Sequence, residues 1–117
     1  MDRLACMAAG INYEEGVARF VGSAEMYERF LGEFLKDSTF AALEEAMAKK
    51  DVKEAFQQAH TLKGLTGNLS LDRLYKKLIV LTDALRGEGD LPLAESLFPD
   101  VRAEYESVMA FLAEQAV

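Results

Sequence analysis

The chain has 117 residues, half of them hydrophobic, with one cysteine, one histidine and a formal charge of −7. That length fits a single domain, taken as residues 1–117, and the apolar share supports one core without disulfides or metal. The acidic balance argues against nucleic-acid binding, which needs a basic face, and Cys6 with His60 cannot by themselves make a Cys/His zinc cluster.

Ala, Leu, Glu and Lys dominate, and Pro92 and Pro99 are the only prolines, so the expected class is all-α. Residues 1–10 mix Asp2 and Arg3 with a short apolar run. That run is too short for a membrane span or a signal peptide, so no membrane association is expected and the cytoplasm is the default location. Met1 is read as the start of an independent protein.

Asn12 with Glu15 is a capping-box pattern that opens a short helix over about 12–21, with Gly22 expected to end it. Ser23 caps a second helix over about 24–49. Its inward stripe is Tyr27, Phe30, Leu31, Phe34 and Leu35, continued by Phe40, Leu43 and Met47 beyond a break expected near Ser38. Asp51 with Glu54 starts a third helix over 51–68. Ser70 is expected to cap a fourth over 70–87, whose Leu71, Leu74, Leu78, Leu81 and Leu85 follow 3-4-3-4 spacing, and Gly87 and Gly89 end it. The last helix runs over about 92–115 with Leu97, Val101, Tyr105, Val108 and Leu112 inward, and Pro99 is expected to kink or restart it. Scattered acids such as Glu44, Glu45, Glu104 and Glu106 are read as solvating, so no metal site is expected. The architecture this predicts is an antiparallel up-down four-helix bundle behind a short N-terminal lead-in helix, existing as a monomer.

The third helix carries the chemistry. At 100° per residue, Val52, Ala55, Ala59, Leu62, Thr66 and Leu69 share one buried sector, and His60 points about 130° from its centre, into solvent. Lys53, Phe56, Gln57, Lys63, Gly64 and Gly67 surround it at helical neighbour spacing. Two glycines at i+4 and i+7 each cost about 1 kcal/mol relative to alanine in a helix. Their presence beside an exposed histidine implies a bulky partner that comes close to the backbone. Lys63 places an ammonium where a phosphoryl group on the imidazole would need one, and Lys53, Lys76 and Lys77 are candidates to add to the local positive field. A neutral imidazole has one nitrogen lone pair free to attack phosphorus, and Gln57 is a candidate to hold the opposite ring nitrogen as N–H. Phe56 fits a core-edge residue as well as a partner contact.

The stretch Ala59 to Leu74, AHTLKGLTGNLSLDRL, resembles the signature of histidine-containing phosphotransfer (HPt) domains through His60, Leu62, Lys63, Gly64, Gly67, Asn68 and Leu69. A weaker resemblance runs from about Gly10 to Val117. It implies that His60 is phosphorylated, that Lys63 neutralises the phosphoryl group, that Gly64 gives a receiver domain clearance and that Asn68 shapes the helix end. Ser70 stands where the family commonly has glycine. Some relatives orient the histidine with a carboxylate on the next helix, and Thr82 occupies roughly that place.

The function this implies is a phosphocarrier of a multistep phosphorelay. It takes the phosphoryl group from a receiver-domain aspartate of a response regulator or hybrid kinase and passes it to another receiver. It needs no cofactor, ATP site or enzymatic activity of its own. The alternatives are an inert helical adaptor that occupies receivers or kinases, and a phosphohistidine-type hydrolase, for which no general acid stands near His60.

Overall fold

In a computed structural model, residues 1–115 are described, and among them there are seven helices and no strand. The helices are α1 (Arg3–Ala8), α2 (Tyr13–Arg19), α3 (Ala24–Phe34), α4 (Thr39–Ala48), α5 (Val52–Asn68), α6 (Asp72–Leu85) and α7 (Leu91–Glu114). The last two residues of the expected 1–117 domain lie outside the described residues. No described helix is long and apolar enough to cross a membrane.

Side-chain caps set most of the helix starts. Asn12 accepts from Glu15 N, Ser23 from Met26 N, Asp51 from Glu54 N and Asp90 from Leu93 N, each satisfying a backbone donor that the first helical turn leaves free. The helix expected over 24–49 with a break near Ser38 is two helices, α3 and α4, divided at residues 35–38. Between them Asp37 accepts from Thr39 N at 2.9 Å, while Ser38 makes no side-chain cap bond. The sequence predicts no helix over residues 1–10. There α1 is capped by Asp2 and buries Cys6 completely, but six residues are too few to show a period. α7 runs unbroken through Pro99, so of the expected kink or restart the restart does not occur. A proline removes one helical hydrogen bond, and Phe98 and Val101, both buried, anchor the helix on either side of it.

α4 packs on α5, α5 on α6 and α6 on α7. The leucine seam of α6 is fully buried at all five expected positions, against Leu43, Leu62, Val101, Val108 and Leu112 among others. Two residues depart from the expected pattern. Phe30 is 46 % exposed and stacks on Phe20 with centroids 5.2 Å apart. Glu104, read as solvating, is 8 % exposed, because it shares the buried stripe of α7 with Val101 and Val108; Arg73 Nε compensates its charge at 2.7 Å.

The turn between α5 and α6 is tied down from several sides. Tyr27 of α3 donates its hydroxyl to Leu69 O at 2.6 Å, Asn12 N donates to Ser70 O at 2.9 Å, and Arg73 N donates to Gly10 O at 3.1 Å. Ser70 does not cap α6: Leu71 is the N-cap residue, and Ser70 sits fully buried at φ +55°. That left-handed conformation explains why glycine suits the position. Serine offsets the strain with its hydroxyl, which donates to Glu15 Oε1 and accepts from Arg19 Nε, both at 3.2 Å. Gly16 lets α2 approach this node, since a Cβ there would lie 2.1 Å from the Tyr27 ring.

Tyr27→Phe removes the hydroxyl and leaves the Leu69 carbonyl without that partner. A cost of about 1–3 kcal/mol is expected in urea unfolding. A change near zero would show that the α5 end is held by its other ties alone.

Candidate functional site

α5 presents two opposite faces. Ala55, Ala59, Leu62 and Thr66 are buried, while His60 and Gly64 are exposed. The small alanines let α5 lie close to its neighbours. The remaining buried hydroxyl, Thr66 Oγ1, is satisfied by donating to Lys63 O at 3.0 Å. The imidazole therefore stands on an outward ridge with Lys53, Gln57 and Gly64 exposed and Phe56, Lys63 and Gly67 half-buried.

The two glycines of the ridge differ. A Cβ on Gly64 would meet nothing within 4 Å, so the backbone one turn from His60 is open to an approaching surface. A Cβ on Gly67 would lie 2.9 Å from Tyr75 Cε1. The glycine at 67 thus has a reason inside the protein, the close seating of α6, and the reading that paired it with Gly64 as bare backbone is corrected to that extent. Asn68 is exposed at the end of α5. It lines a groove of about 570 Å³ with Arg19, Phe20, Phe30, Leu65 and Leu69. The half-exposed Phe30 was hidden from sequence reading by its place in an otherwise inward stripe.

Among the described residues neither Lys53 nor Lys63 pairs with a carboxylate, so both ammonium groups are available to an anion. Lys76 and Lys77 do not belong to this ridge. Lys77 pairs with Asp100 at 2.7 Å on α7, and Lys76 lines a cleft with Arg3, Ile11 and Asp72. No group of three or more His, Cys, Asp or Glu residues placed to hold a metal ion occurs among the described residues.

No hydrogen bond joins Gln57 to His60 among the described residues; both side chains face solvent, where water competes for the amide. The imidazole instead stacks on Phe56, with centroids 5.8 Å apart and planes 18° from parallel. Gly67 against Tyr75 and Phe56 beneath Arg86 set an antiparallel register for α5 and α6 that places Thr82 level with His60. Thr82 is nevertheless fully buried and its Oγ1 has no partner among the described residues, so its hydroxyl is turned to the bundle interior.

Two outcomes follow for stability. Gly64→Ala should stabilise by about 1 kcal/mol through helix propensity alone, whereas Gly67→Ala should gain nothing, because its methyl meets the Tyr75 ring. Equal gains in thermal unfolding would contradict the assignment of Gly67 to packing. Thr82→Val should be neutral or stabilising, since it deletes a buried hydroxyl without a partner; a loss above about 1 kcal/mol would reveal a bond for that hydroxyl.

Neither a search of curated proteins nor a search of solved structures returns a match. The profile of the Hpt domain family matches residues 16–111, which spans α2 to most of α7 and includes the whole of α5. The chain belongs to the Hpt domain family, the histidine phosphotransfer domains of phosphorelay signalling.

Proposed function

We propose that His60 is the phosphoryl-carrying residue, that it accepts the group from an aspartyl phosphate on a receiver domain, and that it later yields it to a second receiver. The observation that supports this reading best is the pairing of an exposed imidazole with open backbone at Gly64 and the unpaired ammonium of Lys63 on one ridge. A ring nitrogen of His60 attacks phosphorus, forming the N–P bond, while the acyl-phosphate P–O bond breaks and the aspartate leaves as a carboxylate. Lys63 stabilises the charge on the phosphoryl oxygens during passage and afterwards; a lysine serves here as a mobile point charge on a flexible stem. Reversal of the same step onto another aspartate completes the relay.

The receiver docks over Gly64, with Lys53 at the rim. The groove of Phe20, Phe30 and Leu65 extends the contact toward Asn68, because Leu65 and Asn68 lie on the same helix as His60 and the groove offers exposed aromatic surface. The protein acts as a monomer in the cytoplasm and contributes no nucleotide or metal chemistry. Any divalent cation belongs to the receiver.

Incubation with a panel of phosphorylated receivers should give acid-labile, alkali-stable label on the wild type and none on His60→Gln. Equal labelling of His60→Gln would overturn the assignment. Gly64→Gln should slow transfer at least tenfold with helix content unchanged, since about 1.4 kcal/mol of steric cost in the docked complex suffices for that factor. Wild-type transfer kinetics in that variant would remove the clearance role.

A further inference from the structure

An in-line transfer needs the attacking nitrogen aimed at phosphorus, yet no hydrogen bond fixes the His60 ring among the described residues. Torsion about the bond joining an imidazole to its Cβ is broad, so a ring in solvent would sample many planes. Among the described residues its one stacked ring neighbour is Phe56, one helical turn earlier. The two rings lie 18° from parallel with centroids 5.8 Å apart, within the range of an offset stack.

Phe56 is in turn held from the next helix. Arg86, the residue that ends α6, places its guanidinium carbon 5.3 Å from the Phe56 ring centroid, within reach of a cation–π contact. Arg86 is itself tethered by Asp83 at 3.2 Å. The contacts thus run from Asp83 through Arg86 and Phe56 to His60, and they cross from α6 to α5.

We propose that Phe56, braced by Arg86, is a positioning residue that sets the plane of the His60 imidazole for transfer. This rests on the reading of His60 as the phosphoryl carrier. Phe56 needs no contact with the phosphoryl group or the receiver in this role. It narrows the ring's rotation, and so raises the fraction of encounters in which a nitrogen lone pair faces phosphorus. Loss of one aromatic pair corresponds to roughly a three- to tenfold change in such a fraction. Arg86 contributes indirectly, by limiting the rotamers of Phe56.

The test compares wild type, Phe56→Leu, Phe56→Tyr and Arg86→Gln in transfer from a phosphorylated receiver, measured to saturation. Phe56→Leu should lower the saturated rate about three- to tenfold with the half-saturating receiver concentration unchanged, and Phe56→Tyr should restore the rate. Arg86→Gln should fall between them. A change confined to half-saturation would mean that Phe56 is a docking contact, and the proposal would fail. Labelling by phosphoramidate is the control: the small donor reaches the ring from any direction, ammonia leaves as the N–P bond to His60 forms, and the rate should be nearly equal in all four proteins. An equal drop with both donors would show a general loss of site structure and also overturn the proposal.

Failure of the carrier reading is separable from failure of this one. If no receiver labels the wild type, that reading falls. NMR decides the positioning claim without any partner: nuclear Overhauser contacts between the His60 and Phe56 rings should be present in wild type and Phe56→Tyr, and His60 ring order should drop in Phe56→Leu. A ring equally mobile in wild type and Phe56→Leu would contradict it.

Discussion

One helix has to meet two opposed requirements. α5 must bury a face firmly enough to stay in place, yet leave the backbone and one imidazole on its other face unshielded. The buried side solves this with small residues, Ala55, Ala59 and Thr66, around Leu62, so that α5 sits close to its neighbours without large side chains reaching round to the outer ridge. The outer side gives up helix propensity at Gly64, where no atom of the described residues lies within 4 Å of an added Cβ. A position that sacrifices about 1 kcal/mol with open space around it points to an external partner as the reason.

The end of α5 is where the fold secures this arrangement. Tyr27, Asn12, Ser70 and Arg73 tie the α5–α6 turn to α3, to α2 and to the segment between α1 and α2. Burial accordingly pushes the Tyr27 hydroxyl pKa well above the usual tyrosine range, which favours the protonated form that donates to Leu69 O. These ties lie beyond Gly67 and leave the His60 ridge untouched. The chain is therefore tied down close to the exposed His60 and Gly64.

Much of this was legible in the sequence. The 3-4-3-4 leucines of α6 and the sector of Ala55, Ala59, Leu62 and Thr66 follow from period alone, and His60 falls opposite that sector by wheel arithmetic. The capping residues Asn12, Ser23 and Asp51 announced their helices. What escaped depended on contacts between elements. Ser70 looks like a cap on local grounds, but its left-handed backbone and its bonds to Glu15 and Arg19 come from the packing of α2. Glu104 looks like a solvated acid until Arg73 is seen across from it. Gly67 cannot be told from Gly64 by spacing, since only the position of Tyr75 separates them. The stack of Phe56 on His60 is at helical spacing, but its brace comes from Arg86, thirty residues later on another helix.

The account turns on a single bond, between phosphorus and an imidazole nitrogen of His60. Phosphorus–proton correlation NMR on protein freshly labelled by a receiver reads it directly. The phosphorus signal should show scalar coupling to the ring protons of His60, the only histidine in the chain. A phosphorus signal without imidazole coupling, or one coupled to another residue's protons, would contradict the account.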